Sequence, residues 1–306
     1  MAGHGSPGRL TLAAFGGAVV IGGSNFVAVK FSNGELAPLY GAAVRFTGAA
    51  VLFGLLAWAM SLPRPRGRAM LGDAIYGMFG FAGAYGFMYF SLVEISIGSA
   101  AVIMATVPLF TLVLAVVHGQ ERLTAGGVAG GLLAVVGIGV LSMRTLGGEL
   151  PLLHVGAAVL AAAAAAEALV VVKGFPRGHP VTTNAVGMAA GGALLWIASA
   201  LASESWTVPQ LTRTWVSLAW LVTAGSVGLF YLVLFVIGHW TASATVYAMT
   251  LMPVVAVTLG VLLAGEPITL EIVAGTVIVT FAVYVGAIRR PAPKAAVPVP
   301  GEPPLT

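Results

Sequence analysis

The chain has 306 residues, of which 59% are hydrophobic and only 8% charged, and it contains no cysteine. A water-soluble domain carries about 25% charged residues and could not cover so much apolar side chain. A soluble fold is therefore excluded, as are disulfide frameworks, thiolate metal sites and cysteine nucleophiles. The net charge of +4 does not indicate a nucleic-acid partner, because the 14 Lys and Arg lie between long apolar runs and not on one basic face.

A helix needs about 20 apolar residues to cross the hydrocarbon core of a bilayer. On that length the sequence predicts ten spans, at 10–31, 36–60, 70–92, 96–117, 124–142, 150–173, 180–202, 215–237, 241–263 and 270–288. The fold class expected is thus an all-α integral membrane protein, multi-pass, with the lipid bilayer as its main partner. The first span is too long for the apolar core of a signal peptide, and no clean cleavage site follows it. It reads as a retained helix and carries the polar pair Ser24 and Asn25.

The second span holds Arg45 a few residues from its middle. An arginine there costs at least about 2.5–3.5 kcal/mol to insert, so it must face protein or water. It either grips a substrate carboxylate or pairs with backbone carbonyls as a structural anchor. The third span places Phe81, Tyr85 and Tyr89 on one helical face, with Tyr89 near the interface where aromatic belts form. The fourth carries Met104 and Pro108. A proline inside a span frees a carbonyl one turn earlier, so Pro108 reads as a hinge or as a static kink.

The sixth span contains Glu167, the only carboxylate read as lying well inside a span. It either meets a substrate amine or a coupling proton, or locks two helices together through an ion pair or hydrogen bond. The eighth places Tyr231 and Phe235 on one face, and the boundary after it is marked only by Gly238-His239-Trp240. The ninth carries Tyr247, Met249 and a second candidate hinge, Pro253. Aromatic and methionine side chains suit a cavity for apolar groups of varied size, and equally suit helix packing. His118 and His239 stand at span ends and read as anchors. Residues 291–306 are proline-rich and read as a disordered tail.

With the amino terminus in the cytoplasm, ten Lys and Arg fall inside and three outside, with Arg45 within a span. That bias follows the positive-inside rule and puts both termini in the cytoplasm.

Shifting the chain by 145 residues aligns 96–144 with 241–289 without a gap. Met104 meets Met249, Pro108 meets Pro253, Glu121 meets Glu266, Thr124 meets Thr269, and Gly80 and Gly83 meet Gly225 and Gly228. A shift of 143 pairs Lys30 with Lys173 and Ser24 with Glu167. Two repeats follow, 1–145 and 146–290. Five spans per repeat is odd, so the second copy is inverted, which is the architecture of secondary transporters.

These motifs resemble the EamA-type members of the drug/metabolite transporter superfamily, over nearly the whole chain. The resemblance rests on Gly22-Gly23-Ser24-Asn25-Phe26, Ala37-Pro38, Arg45-Phe46, Pro108-Leu109-Phe110 and Glu121-Arg122-Leu123-Thr124, with the echo Glu266-Pro267-Ile268-Thr269. The nearest likeness is to YddG-type exporters of aromatic and other amino acids. It implies a ten-helix fold with a central cavity, a plasma-membrane location and export of amino acids or related metabolites. Gly22 stands where the first motif usually has Trp, which puts any role of that ring in doubt.

The substrate-binding candidates are therefore Ser24, Asn25, Arg45, Tyr85, Met104, Glu167, Tyr231, Tyr247 and Met249, with neither cofactor nor metal implied. Facilitated diffusion is the simplest drive, and efflux of cationic drugs or quaternary amines is the alternative. A zincin's His-Glu-x-x-His is missing, and Gly225-Ser226-Val227-Gly228 has no His at membrane depth, so an enzyme is not expected. No ring of like charges supports a channel.

Overall fold

The computed structural model describes residues 8–122, 124–146, 152–176, 178–239 and 242–285. Among them all regular structure is helical, and each predicted span coincides with one helix or with two or three in succession. The first half holds α1 (Arg9–Asn33), α2 (Pro38–Ala59), α3 (Arg68–Gly77), α4 (Ala84–Glu94), α5 (Ile97–Met104), α6 (Val107–Val117) and α7 (Ala125–Leu146). The second holds α8 (Leu152–Val171), α9 (Pro180–Leu201), α10 (Thr212–Val222), α11 (Leu229–His239), α12 (Ala242–Ala264) and α13 (Leu270–Val283). Among the described residues six helical stretches are long and apolar enough to cross a membrane by length and composition, and 125–141, 251–264 and 270–283 are shorter apolar helices.

Local chemistry sets the ends. Pro38 and Pro180 open α2 and α9, where a missing N–H costs nothing. The Thr124 hydroxyl accepts from Gly127 N at 3.1 Å and the Thr269 hydroxyl from Ile272 N at 3.3 Å, so the two repeat-related threonines cap α7 and α13. Gly119 and Gly265, at φ 69° and 67°, turn the chain out of α6 and α12 where a side chain would be strained.

The 145-residue echo appears in the backbone itself. A π segment at Met78–Gly83 joins α3 to α4, and a second at Thr223–Gly228 joins α10 to α11, starting 145 residues later. Each inserts one residue's worth of extra turn, which rotates the helix beyond it. One departure from the sequence reading lies on α4: Tyr85 and Met88 line the cavity, while Tyr89 is wholly buried against Gly41 and is no membrane-belt residue.

The packing maps onto itself when each helix is exchanged for its repeat equivalent. α1 lies along α12, and correspondingly α8 lies along α5 and α6; α4 packs on α8 as α10 and α11 pack on α1. The self-related pairs α2 with α9 and α7 with α13 make the most extensive contacts. The two halves are thus interleaved, not two side-by-side bundles. Large apolar side chains such as Leu132, Val135, Leu262, Val277 and Phe281 remain exposed on the outside, which suits lipid and not water.

The prolines differ between the copies. At Pro108 the helix is broken: α5 ends at Met104 and α6 starts at Val107, with Thr106 hydrogen-bonded back to Ile103 O at 2.6 Å. Pro253 lies inside α12, which continues through it.

Candidate functional site

A cavity of about 300 Å³ sits between the halves, walled by α1, α3, the π segment before α4, α4, α5, α6, α8, α11 and α12. Its lining is largely apolar. Of the residues singled out in the sequence, Asn25, Phe81, Tyr85, Met104 and the hinge candidate Pro253 line it. Tyr76, Met88 and Met252 also line it; the pattern of single helices could not separate these from packing residues.

The aromatic wall is continuous. Tyr76 meets Phe81 edge-on at 5.4 Å, Phe81 lies 5.1 Å from Phe46, and Phe46 meets Tyr85 at 4.9 Å. Behind this wall stands Arg45, only 1% exposed, with its guanidinium 4.8 Å from the Tyr85 ring centre and 5.0 Å from that of Phe46. Such cation–π contacts are strengthened by desolvation.

The π segment of the second half supplies the remaining anchor. The Gly225 carbonyl accepts from Asn25 Nδ2 at 3.2 Å and from Arg45 Nη2 at 3.3 Å. A side chain at 225 would collide with Asn25, so the repeat-related glycine is what admits this contact. Arg45 Nε and Nη1, and Asn25 Oδ1, have no hydrogen-bond partner among the described residues. A buried cation with unmet donors thus lies one ring's thickness from the cavity.

The other candidates lie elsewhere. Ser24 donates to Ile21 O at 2.8 Å and accepts from Trp220 Nε1 at 3.0 Å, facing α10 and away from the cavity. Tyr231 is 68% exposed on the outside of α11. Glu167 does not line the cavity; its Oε1 lies 3.2 Å from His118 Nε2. The side chains of Tyr247 and Met249 fall outside the described residues. Glu167 is only partly buried, whereas Asp73, midway along α3, is buried. Gly22 has a definite consequence: a Cβ there would lie 2.6 Å from Met252 Sδ, so the glycine makes room for a methionine that enters the cavity.

One end of the molecule is fastened by three carboxylates, each reaching the start of a helix in the other half. Glu204 accepts from the amides of Leu39 and Tyr40 at 3.1 and 2.8 Å, at the start of α2. Glu266 accepts from Ile97 N at 2.9 and 3.0 Å, at the start of α5. Glu35 accepts from the Gln210 and Leu211 amides ahead of α10. Carboxylates at helix N-termini meet unpaired N–H groups and the positive end of the dipole. At this end Lys30 Nζ also donates to the carbonyls of Val93 and Ile95, at 3.3 and 3.1 Å.

Glu35 lies in the turn between spans. The Thr214 hydroxyl first, then the Gln210 and Leu211 amides and the nearby Arg213 charge, hold its carboxyl below its ordinary value of 4.5. Its contribution to stability is therefore full above pH 4.5 and is lost as pH falls through the lowered folded value. Glu35→Gln should remove that acid limb, read as melting temperature against pH in detergent: the wild type falls below pH 4.5 more steeply than the variant. Parallel curves would show that Glu35 carries no such linkage.

Comparison with known proteins gives a consistent picture. The family model described as the EamA-like transporter family matches residues 10–143 and again 152–287. An "Uncharacterized transporter" of Archaeoglobus fulgidus is 27% identical over 278 residues, 89% of this chain and 96% of that protein. An "Uncharacterized inner membrane transporter YedA" of Escherichia coli is 31% identical over 256 residues, 82% of this chain and 81% of that protein. A "Probable terminal-alkyne amino-acid exporter" of Streptantibioticus cattleyicolor is 29% identical over 99 residues, 32% of this chain and 33% of that protein. A crystal structure at 20% identity matches the fold with a TM-score of 0.60, covering 91% of this chain and 96% of the other.

Proposed function

The chain belongs to the EamA-like transporter family, and from that premise we propose that it exports small neutral or zwitterionic metabolites, amino acids foremost, by alternating access of the central cavity. One observation carries the substrate class. The described cavity lining includes no carboxylate, while the buried Arg45 charge stands directly behind Tyr85. That field repels a cation and favours a group with a carboxylate beside an apolar side chain.

In this reading the chain crosses the plasma membrane ten times as two inverted repeats, 1–145 and 146–290, with both termini in the cytoplasm. The positive-inside bias and the two family matches, at 10–143 and 152–287, support it. The end fastened by Glu35, Glu204 and Glu266 is then periplasmic, and the cavity opens toward the cytoplasm. The unlike state of the equivalent prolines, broken at Pro108 and continuous at Pro253, supports exchange between two states in which the copies trade conformations. A neutral substrate gains nothing from the membrane potential, so transport is facilitative.

The test is flux in proteoliposomes loaded with labelled amino acids, with and without an imposed proton gradient. Saturable release of neutral amino acids above protein-free vesicles is expected in both cases, with quaternary amines at background. Quaternary-amine flux that disappears in Glu167→Gln would instead establish the cationic-drug reading.

A further inference from the structure

Resting on that orientation, we infer that His118 and Glu167 form a proton-binding site that clasps the two halves together at the cytoplasmic mouth of the cavity.

The argument is one of donors and acceptors. His118 Nδ1 lies 2.9 Å from the Leu114 carbonyl, and a carbonyl can only accept, so Nδ1 carries a hydrogen. In a neutral imidazole Nε2 then presents a lone pair. Yet Nε2 lies 3.2 Å from Glu167 Oε1, and an ionised carboxylate also presents only lone pairs. Two acceptors do not hold each other at that distance. The contact requires one further proton, either on Nε2 as an imidazolium or on Glu167 as a carboxylic acid.

The pair's position makes that proton consequential. His118 ends α6, in the stretch of the first family match, and Glu167 lies in α8, in the second. Ala165 and Ala168, on either side of Glu167 in sequence, both line the cavity, as does Val107 at the start of α6. Glu167 Oε2 is buried without a hydrogen-bond partner among the described residues, so an unclasped carboxylate is poorly satisfied and its helix has reason to shift toward water. Nearby, Gln120 Nε2 donates to Val170 O at 3.2 Å, a neutral link that is indifferent to pH and leaves the two helices tethered.

Other ionisable groups at this end include Arg68, Asp73 and Tyr76 on α3, Lys173 in the turn after α8, and Glu121 and Arg122 in the turn after α6. His118 is exposed, so the proton exchanges with the cytoplasm alone. The clasp therefore sets how readily the cavity opens to that side without itself driving transport.

The chain has no cysteine, so Ala165→Cys reports access to the cavity through its reaction with a water-soluble maleimide. Proteoliposomes are labelled between about pH 5 and pH 8, where an imidazole titrates, for Ala165→Cys alone and combined with His118→Gln or Glu167→Gln. Either amide supplies a hydrogen to the contact at every pH. The ratio of rates between parent and combined variant cancels the thiol's own titration. The parent should label faster than both combined variants at high pH, by roughly threefold or more, and equally at low pH. A ratio that does not change with pH, with both combined variants monodisperse, overturns the clasp. Labelling needs no substrate, so its outcome is separate from the failure or success of amino-acid flux.

Discussion

Arg45→Met is expected to lower flux of a neutral amino acid roughly thirtyfold relative to flux of its decarboxylated amine. The guanidinium is wholly buried, lies across the ring of cavity-lining Tyr85, and donates to the Gly225 carbonyl. A unit charge on the order of 7 Å away, at an effective dielectric constant of about 20, contributes about 2 kcal/mol to a carboxylate, which is that factor. Methionine preserves volume and apolar contact with Phe46 and Tyr85 while removing the charge. Arg45→Lys keeps the charge but loses the planar fork that reaches Gly225 and stacks on Tyr85, so an intermediate ratio is expected. The readout is initial flux of both compounds in the same vesicles. An equal fall for both would make Arg45 a structural node between α2 and the second π segment and would remove the electrostatic case for carboxylate-bearing substrates.

Gly77→Ala should have the largest effect on stability. At this point α3 and α9 approach until a Cβ on Gly77 would collide with the backbone of Gly187, and Gly191 would in turn place its Cβ 2.7 Å from Gly77 O. Backbone cannot swing aside as a long side chain can, so one added methyl must push the helices apart. Overpacking costs typically about 1–3 kcal/mol, and a rigid backbone contact belongs at or above the top of that range. Gly156→Ala is the control: nothing lies within 4 Å of its Cβ, and alanine's helix propensity should make it neutral or stabilising by up to about 1 kcal/mol. Thermal unfolding in detergent, followed by size-exclusion recovery, distinguishes the variants. Equal melting temperatures would mean that α3 and α9 yield freely, against the tight interleaving of the halves.

Much of this molecule was legible in its residues, because lipid leaves the backbone few choices. Long apolar runs must be helical where no water can pair their N–H and C=O groups, so the helical stretches and the 145-residue echo could both be read in one dimension. Arg45 was equally legible as a residue that had to face protein, since insertion into lipid is too costly. What one dimension could not carry was rotation and partnership. The π segments at Met78–Gly83 and Thr223–Gly228 have no pattern of their own, and nothing in the spacing along α4 told that Met88 and not Tyr89 shares the cavity with Tyr85. Ser24 and Tyr231 looked like cavity residues by position alone, yet one bonds Trp220 and the other faces outward.

Partnership was decided by packing between residues far apart in the chain. The sequence by itself determined a helical membrane chain, built twice, with a costly arginine and a costly glutamate inside it. Only the tertiary structure decided that Glu167 meets His118, that Asn25 and Arg45 share the Gly225 carbonyl, and that Glu35, Glu204 and Glu266 reach the starts of helices in the other half. Hydrogen bonds and ion pairs act over a few ångströms in space with no memory of sequence separation. Their identity is settled when the interleaved halves bring distant helices into register.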